Sequence, residues 1–209
     1  MSTNQPTKKF STPGYVSTNI KDTNEKALQR ALLMQGTSLL DGKEVKWLDI
    51  ELPIEFTDNS RRKCVDLIGK DNDGQLYLCE LKFSGNSDTP RDAESQLLEY
   101  FELIKYNAQK LEDNNIHHKK QESFSWIELA LSSPKLCIMA DATYWCKWEN
   151  KVEKVKLQHP DEVKCFAIDI DSNIFANQRA VNGGELYTPS LVENHWHSLY
   201  TYSYEIIEL

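Results

Sequence analysis

The chain has 209 residues, about 40% of them hydrophobic, enough to fill a core and to exclude a wholly disordered protein. Its formal charge of −8 excludes a global field that would gather polyanions, leaving any nucleic-acid contact to local patches. The longest apolar runs, such as 136–140, are too short to cross a bilayer, and five cysteines without a CxxC pair predict reduced thiols in a cytoplasmic protein.

Residues 1–18 are rich in Ser, Thr and Pro and lack an apolar period, so they predict a flexible arm, with Phe10 and Tyr15 as candidate anchors. The arm precedes a single domain over 19–209. Ala27, Leu28, Ala31, Leu32 and Met34 recur at helical intervals and predict a helix over 22–35, capped by Asp22 or Thr23 and closed by Gly36. Over 45–56, β-branched and aromatic residues alternate with polar ones as far as Pro53, which predicts a strand. Two further apolar runs, 61–69 and 75–83, flank Asp71, Asn72, Asp73 and Gly74 and read as a β-hairpin. A second helix is expected from Arg91 to about Leu111. A charged linker holding His117, His118, Lys119 and Lys120 follows, then buried strands at 134–141 and 163–170. The aromatic tail 195–204 reads as a late strand or a packing surface. The order is helix, strand, hairpin, helix, strand, helix or loop, strand, which predicts an α/β domain with a central mixed sheet flanked by helices.

The chemistry-bearing residues cluster on the hairpin. Glu80 and Lys82 are two apart on one strand and share a face, while Cys79 and Leu81 face the other way. A pairing centred on Asp73 sets Asp66 opposite Glu80. Two adjacent carboxylates repel each other as solvent is excluded, and a divalent cation removes that penalty. Mg²⁺, with Mn²⁺ as a substitute, suits Asp66, Glu80, the backbone carbonyl of Leu81 and several waters. Lys82 could then hold the attacking water and offset charge on a phosphoryl oxygen. The bland alternative is an ordinary ion pair on a strand, which would add little stability. Arg61, Arg62 and Lys63 at the hairpin start form a candidate phosphate-gripping edge, and His117–Lys120 a second basic patch. The five tryptophans are not spaced like a stacking platform and suit core or interface roles.

The segment from Val65 to Gly69 followed ten residues later by Glu80-Leu81-Lys82 resembles the core of the PD-(D/E)xK nuclease superfamily, the restriction-endonuclease-like fold. Val65 stands where that family usually has proline. Gln96 and Tyr100 in Gln-Leu-Leu-Glu-Tyr are similar to the QxxxY motif of the RecB-like and Cas4-like branch. The resemblance covers about 22–145, leaving 146–209 as a C-terminal elaboration, and implies an αβββαβ core. It implies a Mg²⁺-dependent hydrolase acting on DNA phosphodiester bonds, with Asp66, Glu80, Lys82, Gln96 and Tyr100 in the catalytic machinery. It also implies a metal-binding glutamate on the first helix, a location that Glu25 matches, with Glu44, Glu51 and Glu55 as rivals. A homodimer pairing two sites fits this class of nuclease. The competing reading is a noncatalytic member of the fold that binds nucleic acid or drives oligomerisation.

Overall fold

The computed structural model describes residues 16–17, 25–55, 63–83, 85–117, 124–148, 156–168, 175–181, 186–191, 195–199, 201–202 and 205–206. Most of the expected arm over 1–18, with Phe10 and Tyr15, lies outside the described residues, as do Arg61, Arg62 and His118–Lys120. The arm's end, Val16–Ser17, forms the short strand β1.

Helix α1 spans Glu25–Gln35 and stops at Gly36, which takes φ +84° while its N–H returns to the Leu32 carbonyl at 3.1 Å. A left-handed residue at this position is the usual device for ending a helix, and glycine adopts it without strain. Strands β2 (Thr37–Leu40) and β3 (Lys43–Pro53) then form a tight hairpin through Asp41 and Gly42, both at positive φ. Strand β3 is the one expected over 45–56, whereas β2 and its pairing with β3 are additional to the expected elements, although Asp-Gly is the sequence signal of that turn. The expected second hairpin is β4 (Cys64–Asp71) and β5 (Leu76–Lys82). Its turn is held by Asp71, whose Oδ1 accepts from the Asp73 and Gln75 N–H groups at 3.0 and 2.9 Å.

Helix α2 (Pro90–Asp113) starts with a reciprocal capping box between Thr89 and Asp92, with Pro90 in the first turn. A short helix α3 (Trp126–Leu131) follows, and Glu112 joins it to α2 by accepting from the Trp126 N–H at 2.6 Å. Next come β6 (Lys135–Asp141), α4 (Ala142–Cys146), β7 (Val163–Ile168), β8 (Phe175–Val181), β9 (Leu186–Leu191), β10 (His195–Leu199), β11 (Thr201–Tyr202) and β12 (Glu205–Ile206).

Six strands pair in the order β2-β3-β4-β5-β6-β7, antiparallel from β2 to β5 and parallel from β5 to β7. This curled mixed sheet closes through β10, which runs parallel to β2 and antiparallel to β7. Thus β7 and β10, both beyond residue 145, belong to the same sheet as the hairpins. A smaller sheet orders β1-β9-β8, and β11 pairs with β12.

The sheet separates two apolar cores. On one face Leu28, Ala31 and Leu32 of α1 pack with Trp47, Ile50, Leu67, Cys79, Leu81 and Met139. On the other, Leu97, Tyr100 and Ile104 of α2 pack with Leu52, Val65, Ile68, Leu78, Ile138 and Trp126. Trp47, Trp126, Trp145 and Trp148 are all buried, in keeping with core roles. His117 is a core residue rather than part of a basic patch: it is buried, with its ring edge-on to Phe124 at 4.8 Å and tilted against Trp126. The thiols of Cys64, Cys79, Cys137, Cys146 and Cys165 are free.

Gly69 is fixed by packing. A Cβ there would lie 2.7–2.8 Å from Val45 and the indole of Trp47, and that indole is itself held by a 2.7 Å bond to Ser38 Oγ. Gly69→Ala is therefore expected to lower unfolding stability by about 1–3 kcal/mol, as overpacked cores do. A fall in the urea midpoint at unchanged slope would register this, and an unaltered midpoint would refute it.

Candidate active site

The β4–β5 ladder pairs Leu67 with Cys79, Ile68 with Leu78 and Gly69 with Tyr77. Continued by one step, that register sets Asp66 opposite Glu80, as the turn geometry predicts. Strand alternation sends Cys79 and Leu81 to the α1 side, while Leu78, Glu80 and Lys82 face α2. Every residue of β5 is buried, so Glu80 and Lys82 are among the least accessible charged side chains described, at 1% and 2% exposure. They neutralise each other: Lys82 Nζ lies 2.6 Å from Glu80 Oε1.

Asp66 occupies a fault in the sheet. The β3–β4 ladder runs through Ile50–Leu67 and Leu52–Val65 but skips Glu51 and Asp66, and Glu51 sits at φ +46°. Ile50 and Leu67 belong to the α1-side core, whereas Leu52 and Val65 belong to the α2-side core. Alternation therefore breaks at this step, as it also does at the bulge between Trp47 and Asp49. The break leaves the half-buried Asp66 carboxylate directed at the neighbouring strand end, where Oδ2 accepts from the Leu81 N–H at 2.8 Å. From α1, Gln29 Nε2 donates to the Asp66 carbonyl at 2.8 Å and approaches Oδ1 at 3.3 Å.

The other expected residues arrive from α2 and α1, and the loop between β5 and α2 adds an unexpected carboxylate. Gln96 and Tyr100 lie one turn apart on α2; Gln96 Nε2 donates to the Tyr100 hydroxyl at 2.9 Å, and Gln96 Oε1 is 3.5 Å from Lys82 Nζ. Glu25, in the first turn of α1, accepts from Asn86 Nδ2 at 2.9 Å. Asp88 brings a further carboxylate 3.5 Å from Lys82. The loop carrying Asn86 and Asp88 is tied down from the α4 side: Tyr144 donates to the Asp88 carbonyl at 3.0 Å and Lys147 to the Asn86 carbonyl at 2.5 Å.

Thus Glu25, Asp66, Glu80, Leu81, Lys82, Gln96 and Tyr100 converge, Leu81 through its backbone. The rival carboxylates are engaged elsewhere: Glu51 with Arg30 and Lys26, Glu55 with Lys63, and Glu44 opposite Leu39 in the β2–β3 hairpin. Lys63 lies between Glu99 at 2.5 Å and Glu55 at 3.6 Å, so its charge is already matched. Three members of the cluster are not anticipated by the sequence reading: Gln29, Asn86 and Asp88. Gln29 had a signal, because it lies four residues from Glu25 and shares its helical face.

Burial dominates the electrostatics. It raises the Asp66 pKa well above the usual carboxylate range, and the charges of Glu80 and Glu25 push it further. Burial also raises Glu80, with Lys82 opposing, to about 7. For Lys82 burial acts downward, but Glu80, Glu25 and Asp66 outweigh it and raise its pKa. Glu25 is raised by burial against the opposing charge of Lys82. Burial, aided by Glu80, likewise raises Tyr100.

Glu80 Oε2 is buried without a donor when both carboxyls are ionised, and a proton on Asp66 relieves this because the two groups are within hydrogen-bonding reach. Among the described residues no trio of His, Cys, Asp or Glu already converges closely enough to hold a metal ion. Lys82 occupies one oxygen of Glu80 and the Leu81 N–H occupies one of Asp66. A divalent cation nevertheless fits the donor chemistry: it would satisfy the orphaned Glu80 oxygen and offset the repulsion between Glu80 and Asp66. No protein-family model matches the chain, and no curated protein or solved structure is significantly similar to it.

The folded protein binds the Glu80 proton more tightly than the unfolded chain. Stability from this group is full below about 4.5, declines as pH rises to about 7 and is flat above. Asp66 acts in the same sense. In chelator, urea midpoints should therefore fall between pH 5 and about pH 7.5, and Glu80→Gln should reduce that slope. An unchanged profile in Glu80→Gln would remove Glu80 as its source.

Proposed function

We propose that the chain is a metal-dependent nuclease hydrolysing DNA phosphodiester bonds, with Asp66, Glu80 and Lys82 at its centre. The observation that carries this reading is the convergence of Asp66, Glu80, Lys82, Gln96 and Tyr100, from β4, β5 and α2, on one hydrogen-bonded cluster. Within the order α1, β2, β3, β4, β5, α2, α3, β6, the antiparallel strands β3, β4 and β5 and the fourth strand β6 parallel to β5 support a restriction-endonuclease-like αβββαβ core, to which β2 and α3 are additions. DNA as substrate follows from that likeness.

Asp66 and Glu80 would hold Mg²⁺ or Mn²⁺, with Glu25 and the Leu81 carbonyl as further donors. When bound, the ion supplies a water of lowered pKa and polarises the phosphoryl group. Lys82 stays protonated at neutral pH, so its ammonium can donate to a water and offset charge on a non-bridging oxygen. Gln96 and Asp88 limit where that ammonium can go, and Tyr100 in turn fixes the Gln96 amide. Glu80, Asp66 and Glu25 all have raised pKa values, so protons leave as cations arrive and metal affinity rises with pH.

Two observations favour the noncatalytic alternative. Glu80 and Lys82 are almost inaccessible, and Lys63 of the expected phosphate-gripping edge is matched by glutamates. Cleavage of linear, circular and single-stranded DNA in Mg²⁺ or Mn²⁺ separates the readings. Lys82→Ala is expected to lower the rate by about 10²-fold or more, in the range seen when a positioned electrostatic group is deleted. A folded variant that cleaves as well as the parent would sink the assignment. An inactive parent would shift weight to a binding module.

A further inference from the structure

The fault at Glu51 and Asp66 has its own supporting structure on α1. Ladder pairing resumes on both sides of the step, so the sheet could have continued through it. Instead, Glu51 takes a left-handed conformation that disfavours any residue with a Cβ. Arg30, buried on α1, lies 3.5 Å from the Glu51 carboxylate, and Lys26 lies 3.8 Å away. Arg30 Nη1 also reaches Gln29 Oε1 at 3.4 Å. That contact sets the direction of the Gln29 amide, since its oxygen faces a donor and its nitrogen must face Asp66. Gln29 is 2% exposed, and its Nε2 meets the Asp66 carbonyl at the step that the β3–β4 pairing skips.

We propose that Gln29 is a positioning residue for Asp66, and that Arg30 and Glu51 hold the break in the sheet from which Gln29 acts. Asp66 is gripped on both sides, by Gln29 at its carbonyl and Oδ1 and by the Leu81 N–H at Oδ2. Its carboxylate therefore has one orientation. The consequence for metal binding rests on the nuclease reading; the positioning itself does not. Without Gln29 the carboxylate can rotate, and the Leu81 N–H loses a fixed acceptor.

The test is amide hydrogen exchange in the metal-free protein, comparing the parent with Gln29→Met, which is similar in size but has no amide. The Leu81 amide should exchange about tenfold faster in the variant, while Leu78 and Ile138 keep their rates. Calorimetric Mn²⁺ binding should weaken by about 10- to 100-fold, as when other groups that orient metal ligands are removed. Unchanged exchange at Leu81 would overturn the proposal whether or not the parent binds Mn²⁺. Faster Leu81 exchange in a parent background that binds no Mn²⁺ would uphold the positioning role and remove the metal reading instead. Should Gln29→Met fail to fold, Gln29→Asn, whose shorter amide cannot span the same gap, takes the same measurements with the same two outcomes.

Discussion

The constraint on which the rest depends is the burial of β5 on both faces. A strand enclosed by α1 on one side and α2 on the other would ordinarily be apolar throughout, and β5 is so from Leu76 to Cys79. Its last residues include Glu80 and Lys82, and removing two charges from water costs several kcal/mol each unless they are paired and hydrogen-bonded. Apolar residues of similar size would satisfy such a position at lower cost. The pair instead brings Gln96, Asp88 and Asp66 around it, and each contact narrows the positions the ammonium can take. A stability role alone does not account for so many polar groups drawn into one buried place.

Helix α1 is bound to the same constraint. Leu28, Ala31, Leu32 and Leu33 are buried, but so are Gln29 and Arg30, so the helix is enclosed on more than its apolar stripe. It packs on the main sheet and also against β9 of the smaller one. Enclosure of that kind makes a buried polar side chain expensive unless its partners are fixed. Gln29 and Arg30 find them at the break in the β3–β4 ladder. The irregular backbone at Glu51 and the polar face of α1 thus satisfy each other, and the acidic group they frame is Asp66.

Much of this is legible in the sequence because it rests on short-range rules. The Asp71–Gly74 turn sets the register of β4 and β5, and register with alternation is enough to place Asp66 opposite Glu80 and Lys82 beside it. The four-residue spacing of Gln96 and Tyr100 gives their shared face in the same way. What sequence reading misses is long-range or backbone-encoded. Nothing local in Glu51 announces a left-handed residue in a strand, and Gln29 reads as an ordinary polar helix residue until the sheet break supplies its partner. His117 reads as part of a charged linker because its neighbours are basic, yet the burial of Phe124 and Trp126 places it in the core. The β2–β3 hairpin was within reach through Asp41-Gly42, but its four-residue first strand carries too short an alternation to stand out.

The charge balance of the cluster links its resting state to its proposed use. Glu25, Asp66, Glu80 and Asp88 surround the ammonium of Lys82. Fully ionised, that group would concentrate negative charge in a place shielded from water, and the raised pKa values of Glu25, Asp66 and Glu80 show each of them holding its proton more tightly than a free carboxylate does. Protons and divalent cations are then competing solutions to one electrostatic problem. In a chain of net charge −8, with Lys63 already matched by glutamates, a polyanionic substrate would meet repulsion at a site neutralised by neither. Cation binding would therefore do more than supply a reactive water: it would also offset much of the negative charge that a phosphodiester must approach. On the proposed reading, substrate affinity and catalysis both depend on that exchange of proton for metal, and the rigid placing of Asp66 determines where the exchange happens.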